Sequence, residues 1–242
     1  MQPRHHNRRQ YFNELAVTSE KYFIPYIQQF CKVSDKLNVL EIGCGDGGNL
    51  LPFSRMGCNV VGVDMCEGRI RDARKFFEEE GAEGRFIASD VFQIEELRHQ
   101  FDLVICHDVI EHIYDKSGFV QKCKQMLKED GVIFISFPAW HMPFGGHQQL
   151  CQSRFLSHLP FFHLLPAALY GWILKAFKEN EECVSGLLDI KRTKCPIELF
   201  ERTVRKEGFE TIDRTLYFIN PHYEVKFNLR PRKLYAAIGG IP

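Results

Sequence analysis

Apolar residues fall into two registers along this chain, and the alternation between them predicts its architecture. Short, near-continuous apolar runs at residues 38–42, 59–64, 85–90, 101–106 and 132–137 read as strands buried on both faces. Between them, residues 49–56, 67–80 and 117–128 repeat with helical periodicity, and Gly81 stops the second of these stretches. Strands that alternate with helices imply a parallel sheet with helices on both faces. Near the start, Tyr22, Phe23, Tyr26, Ile27 and Phe30 recur at helical spacing, with Pro25 marking a start or a kink. Residues 1–36 are therefore predicted as an N-terminal helical cap, and 139–190 as an insertion after the fifth strand. Residues 196–206 read as a last helix, and 210–219 and 233–238 as a closing strand pair. The expected fold is α/β and doubly wound. Its sheet has seven mostly parallel strands with an antiparallel edge, in one domain over residues 1–242.

Composition narrows the class without changing that outline. The 242 residues are 45% hydrophobic and 26% charged, as in a soluble globular protein. Lys plus Arg balance Asp plus Glu at 31 each, so global charge favours neither nucleic acid nor an anionic membrane. None of the nine cysteines has CxxC or zinc-finger spacing, so reduced, mostly buried thiols in a cytoplasmic protein are expected. The opening MQPRHHNRRQ is basic, but no apolar run follows, so it does not read as a secretory signal. No uncharged run reaches the length of a spanning helix.

The strongest chemical signal is Glu41-Ile-Gly43-Cys44-Gly45-Asp-Gly47-Gly48, set between a strand and a helix. Glycines there let the backbone turn sharply and approach a ligand closely, although a tight turn without a ligand has the same spacing. Gly43, Gly45 and Gly48 also satisfy the dinucleotide pattern G-x-G-x-x-G. Charge separates the cofactors. A pyrophosphate belongs at a helix N-terminus, away from a carboxylate. Glu41 instead suits a ligand with a cationic amine, such as S-adenosylmethionine. Asp64 ends the second strand, where an acid accepts from ribose hydroxyls in either cofactor. Asp90 ends the third, where a carboxylate can accept from an adenine amino group. Each acid, taken alone, could equally cap a helix. Three at consecutive strand ends line the sheet edge at which open α/β sheets bind ligands.

With these residues the sequence resembles the class I S-adenosylmethionine-dependent methyltransferases. VLEIGCGDGGNL resembles their first motif, GVD their acidic second-strand end and SDV their adenine-contacting turn. FDLVICHDVIEHI and LKEDGVIFISFP resemble their fourth- and fifth-strand segments. The resemblance covers residues 37–138. It implies a Rossmann-like fold and a methyl transfer from S-adenosylmethionine. Glu41, Gly43, Cys44 and Gly45 would hold the methionine part, Asp64 and Met65 the ribose, Asp90 and Val91 the adenine. His107 would touch the cofactor near its methyl donor.

Methyl transfer is an in-line displacement at an activated sulfonium, so alignment dominates and supplies about 7–11 kcal/mol. A general base matters for an acidic O–H or N–H acceptor. Asp108, Glu111 and His112 stand at i, i+3 and i+4 of a segment predicted to open a helix, so they are expected to share one face. Three readings stay open: an acid-rich helix start, His112 as general base, or a divalent-cation site. The segment resembles the E-x-x-E-H motif of ubiquinone-biosynthesis O-methyltransferases and small-RNA 2′-O-methyltransferases. That resemblance implies magnesium on Asp108, Glu111 and His112, with aspartate in the first place here.

The insertion begins with an aromatic, imidazole-rich stretch at 139–149, in which Gly145-Gly146 marks a turn. It reads as an acceptor-binding loop, with His147 as a further base or metal ligand, or as an ordinary loop on the sheet edge. Residues 155–177 are unusually apolar and broken by Pro160 and Pro166. They read as a lid, a dimer surface or a peripheral membrane contact, and point to a small apolar or aromatic acceptor. Tyr11, Tyr22 and Tyr26 either help close the cofactor pocket or belong to a helix that covers one sheet face. An NAD-dependent oxidoreductase and an RNA methyltransferase are the alternatives. Glu41 and Asp90 argue against the first, and the neutral charge against the second.

Overall fold

The computed structural model describes residues 7–234. It opens with α1 (Arg8–Thr18), whose first turn Asn7 caps by accepting the Gln10 N–H at 3.0 Å. A π-helical turn, Ser19–Phe23, leads into the short α2 (Ile24–Ile27), with Pro25 in its first turn as the sequence predicts. The strands follow as β1 (Asn38–Ile42), β2 (Asn59–Asp64), β3 (Arg85–Ala88), β4 (Phe101–His107) and β5 (Leu127–Ser136). Between them lie α3 (Leu51–Arg55), α4 (Glu67–Glu79) and α5 (Lys116–Met126). The insertion carries α6 (Arg154–Ser157), α7 (Ala167–Ala176) and α8 (Glu181–Thr193), and α9 (Ile197–Lys206) comes after it. Then come β6 (Tyr217–Ile219), α10 (His222–Phe227) and β7 (Arg232–Lys233).

The sheet order is β3-β2-β1-β4-β5, with β1 parallel to β2 and β2 parallel to β3. The expected seven-stranded sheet is not formed. Five strands make the sheet, and β6 and β7 pair only with each other, antiparallel. Residues 210–214 are exposed, and Ile212 is the single apolar side chain among them, so no apolar face drives them into the sheet. Pro231 removes a ladder donor just before β7. The remainder of the last predicted strand, 235–238, lies outside the described residues.

The chain divides into two compact units. The larger holds Asn7–Ile105, Cys123–Phe134 and the chain from Glu210; the smaller holds Cys106–Lys122 and Ile135–Phe209. In the larger unit, Phe12 of α1 is fully buried against Phe76 and Phe77 of α4, with ring centroids 5.2 and 6.3 Å away. Tyr26 donates its hydroxyl to Asp213 at 2.6 Å. In the smaller unit the insertion has its own core, which includes Trp140, Leu156, Tyr170, Leu174 and Leu187. No helix among the described residues is long and apolar enough to cross a membrane.

Candidate active site

The glycine turn lies in the larger unit at the carboxyl end of β1. Gly43, Gly45 and Gly47 take φ of +73°, +54° and +85°, a region that side chains disfavour. The turn is tied to β2. The N–H groups of Gly43 and Cys44 donate to the Val63 carbonyl at 2.8 and 3.0 Å. Asp64 accepts the Gly45 N–H on one oxygen at 2.9 Å and the Cys66 N–H on the other at 2.8 Å. Asp64 therefore shapes the loop, and its remaining lone pairs stay available to a ribose.

Glu41 is only 1% exposed. Asn49 Nδ2 donates to its Oε1 at 2.7 Å, while Oε2 has no hydrogen-bond partner. Burial pushes its carboxyl up from an ordinary 4.5 to about 8; Asn49 opposes that shift and Asp64 adds to it. A buried carboxylate oxygen left unsatisfied beside a glycine bend suits a cationic donor, and the ammonium of S-adenosylmethionine is one. Asp90 caps the turn Val91–Gln93 by accepting the Phe92 N–H at 3.0 Å. Val91 and Cys44 are buried, whereas Met65 is exposed.

Two residues of this cradle escaped the sequence reading. Asn49 is the partner of Glu41, and buried Asp46 carries an oxygen without a hydrogen bond. Burial raises the Asp46 carboxyl, while Arg69 and Arg8 pull it down. An acid placed inside the glycine run was the available signal.

The second group lies in the smaller unit. His107 ends β4, and Asp108 follows with a left-handed φ of +54°. Residues Ile110–His112 form a single 3₁₀ turn, and the α-helix begins only at Lys116. The expected helical face of Asp108, Glu111 and His112 is therefore not formed. The structure instead gathers Glu111, His112 and His147, with one ligand atom of each within 4.8 Å of the others; Asp108 is not among them. Glu111 is 1% exposed, and neither of its carboxylate oxygens has a hydrogen-bond partner. Its Oε1 lies 3.7 Å from His112 Nε2 and 3.6 Å from His147 Nε2.

Burial and the Asp108 charge push the Glu111 carboxyl well above its usual range, against the pull of Lys116. Burial lowers the His112 imidazole; Asp108 opposes that shift and Lys116 adds to it. The two imidazoles meet edge to face at 5.1 Å. Thr193 Oγ1 donates to the Glu111 carbonyl at 2.6 Å and fixes the turn. His147 has φ +56° and follows Gly146, where a Cβ would strike His163. Separations of 3.6–3.7 Å are too long for hydrogen bonds. They are about the ligand-to-ligand spacing around an ion that holds each donor at roughly 2.0–2.2 Å.

Comparison with known proteins supports the fold. A family described as a methyltransferase domain matches residues 40–135, which span the glycine turn, β2 to β4 and nearly all of β5. Over those residues the chain is similar to methyltransferase domains. A ubiquinone biosynthesis O-methyltransferase of Actinobacillus pleuropneumoniae is 35% identical over 118 residues, 47% of this chain and 50% of that protein. The Rhizobium etli protein of the same name is 28% identical over 185 residues, 76% of this chain and 64% of its own length. The chain thus spans about half the length of the first of these curated relatives. Among solved structures, a Haemonchus contortus phosphoethanolamine N-methyltransferase with bound S-adenosylhomocysteine superposes with TM-score 0.57 at 19% identity. That match covers 85% of this chain and 40% of the other, and it establishes the Rossmann-like methyltransferase fold. The cradle of Glu41 and the glycine turn fits S-adenosylmethionine, with an unsatisfied buried carboxylate oxygen beside the bend.

Proposed function

We propose that the chain transfers the methyl group of S-adenosylmethionine to a hydroxyl of a small apolar or aromatic acceptor. The observation that carries this reading is Glu111, a buried carboxylate with no hydrogen bond beside two imidazole nitrogens. In the larger unit, Glu41 and the loop fixed by Asp64 would hold the methionine part, Asp64 and Met65 the ribose, Asp90 and Val91 the adenine.

Glu111, His112 and His147 would hold a divalent cation, and a cation there supplies acidification of an acceptor hydroxyl. Two imidazoles and one carboxylate suit zinc, manganese or iron better than magnesium, which prefers oxygen ligands. The burial-lowered His112 stays neutral near pH 7, as a ligand or a general base must be. The names of the curated relatives support an oxygen acceptor of quinone type.

The insertion supports an apolar acceptor. Trp172 is 67% exposed and Phe155 62%, with Phe161 and Leu169 also exposed. These exposed apolar side chains would meet a lipid surface or a second copy of the chain. Screening hydroxylated aromatic and prenylated compounds for release of S-adenosylhomocysteine tests the reading. Turnover with a phenolic or catechol acceptor is expected, and activity confined to amines would refute it.

A further inference from the structure

The insertion contains a second cluster of ligating side chains, unconnected with methyl transfer. Cys151 follows the turn Gln148–Leu150, Glu179 lies in the link between α7 and α8, and Cys183 stands in the first turn of α8. One ligand atom of each lies within 4.8 Å of the others. Three separate segments thus converge on one point, and no spacing in the sequence announces it.

Two observations set this cluster apart from ordinary buried thiols. Glu179 is buried, and its two oxygens accept the N–H groups of Gln152 and Ser153, each at 2.8 Å. Those bonds hold the carboxylate in place and leave it lone pairs to spare. Tyr170 on α7 is 0% exposed, yet its hydroxyl has no hydrogen-bond partner. Cys151, Cys183 and Glu179 are the charged or chargeable neighbours that act on that phenol. A buried tyrosine hydroxyl ordinarily finds a partner, so an unsatisfied one beside two thiols and a carboxylate marks a place for something polar.

We infer that Cys151, Glu179 and Cys183 form a site for a thiophilic divalent cation of the zinc class. Two sulfur donors and one oxygen select such an ion over magnesium or calcium. A fourth position taken by water gives the Tyr170 hydroxyl its missing partner. Binding is balanced as an exchange: the ion enters, and the two thiols release one proton each to solvent. Two thiolates and a carboxylate against a divalent ion leave one negative charge. The N–H groups on Glu179 offset it, as does Lys191, whose Nζ lies 5.6 Å from the Tyr170 ring centre. The consequence is structural. The ion pins the loop at Cys151 to the start of α8 and braces the small core of the insertion.

Cobalt(II) titration of the reduced full chain tests this. Thiolate-to-cobalt charge-transfer absorption should grow to one equivalent, with two protons released per ion into weakly buffered solution. It should vanish in Cys151→Ser and in Cys183→Ser, and persist in Glu111→Gln, which disables only the other cluster. Tyr170→Phe leaves the apoprotein as stable as before or more so, because it deletes an unsatisfied hydroxyl. The rise in Tm on adding zinc should be smaller in that variant than in the parent. Absence of the absorption in reduced chain overturns the proposal, as does its survival in the double serine variant. So does thiol mapping that finds Cys151 and Cys183 joined in a disulfide with no cobalt uptake after reduction.

Discussion

Asn49 Nδ2 lies 2.7 Å from Glu41 Oε1, and this bond leaves the other carboxylate oxygen buried without a partner. The pair sets the electrostatics of the cofactor cradle. Burial favours the neutral acid, Asn49 favours the anion, and a cationic ligand would shift the balance further toward the anion.

The first prediction concerns pH. The Glu41 carboxyl is raised from 4.5 to about 8 in the folded chain, so the folded state holds a proton that the unfolded state has lost between those values. Its contribution to stability is complete below about 4.5 and is lost as pH rises through about 8. The slope approaches about 1.4 kcal/mol per pH unit inside that window. Glu41→Gln keeps the acceptor for Asn49 and should flatten this slope. Denaturant titrations at several pH values check it.

Asn49→Ala removes the one hydrogen bond that the buried carboxylate accepts among the described residues. The expected cost is about 1–3 kcal/mol at neutral pH, with a further rise in the Glu41 pKa. Chemical unfolding and titration of the carboxyl by NMR read the two effects separately. In Glu41→Gln, which has no carboxyl to titrate, only the stability loss of the Asn49 change should remain.

Gly62 in β2 packs so closely that an added Cβ would lie 2.7 Å from both Cys44 Sγ and Phe86 Cδ1. Gly62→Ala should lower stability by about 1–3 kcal/mol through overpacking. It should also weaken S-adenosylmethionine binding, because Cys44 belongs to the turn. A Tm within a degree of the parent would contradict this packing argument.

Glu111→Gln separates binding from transfer. S-adenosylmethionine affinity should stay within about twofold, because the cradle is built from other residues. The rate of transfer should fall by about a hundredfold or more. Calorimetry and a single-turnover assay on the same preparation measure both.

Much of this was readable in the sequence, and the failures have physical causes. β1 to β4 match their apolar runs because strands buried on both faces leave little polar alternation to confuse. The glycine turn and Asp64 were legible because the chain cannot turn there without glycine. The helical face of Asp108, Glu111 and His112 was misread because a 3₁₀ turn and a left-handed Asp108 replace the assumed period. His147 is a candidate in the sequence, but its approach to Glu111 comes through the fold of a loop, which local spacing cannot express. Asn49 was missed because a short polar residue at a helix start is ordinary until its neighbour proves to be a buried acid. The strand expected over 210–219 forms only at Tyr217–Ile219, because residues 210–214 are exposed and no face of them is covered.

The most direct test is equilibrium titration with S-adenosylmethionine and, in parallel, NAD, on the parent chain and on Asp64→Ala. The structure predicts a single S-adenosylmethionine site, no heat with NAD, and loss of most of the affinity when the carboxylate that holds the Gly45 and Cys66 amides is removed. Binding of S-adenosylmethionine that is indifferent to Asp64→Ala, or no binding at all, would contradict the account.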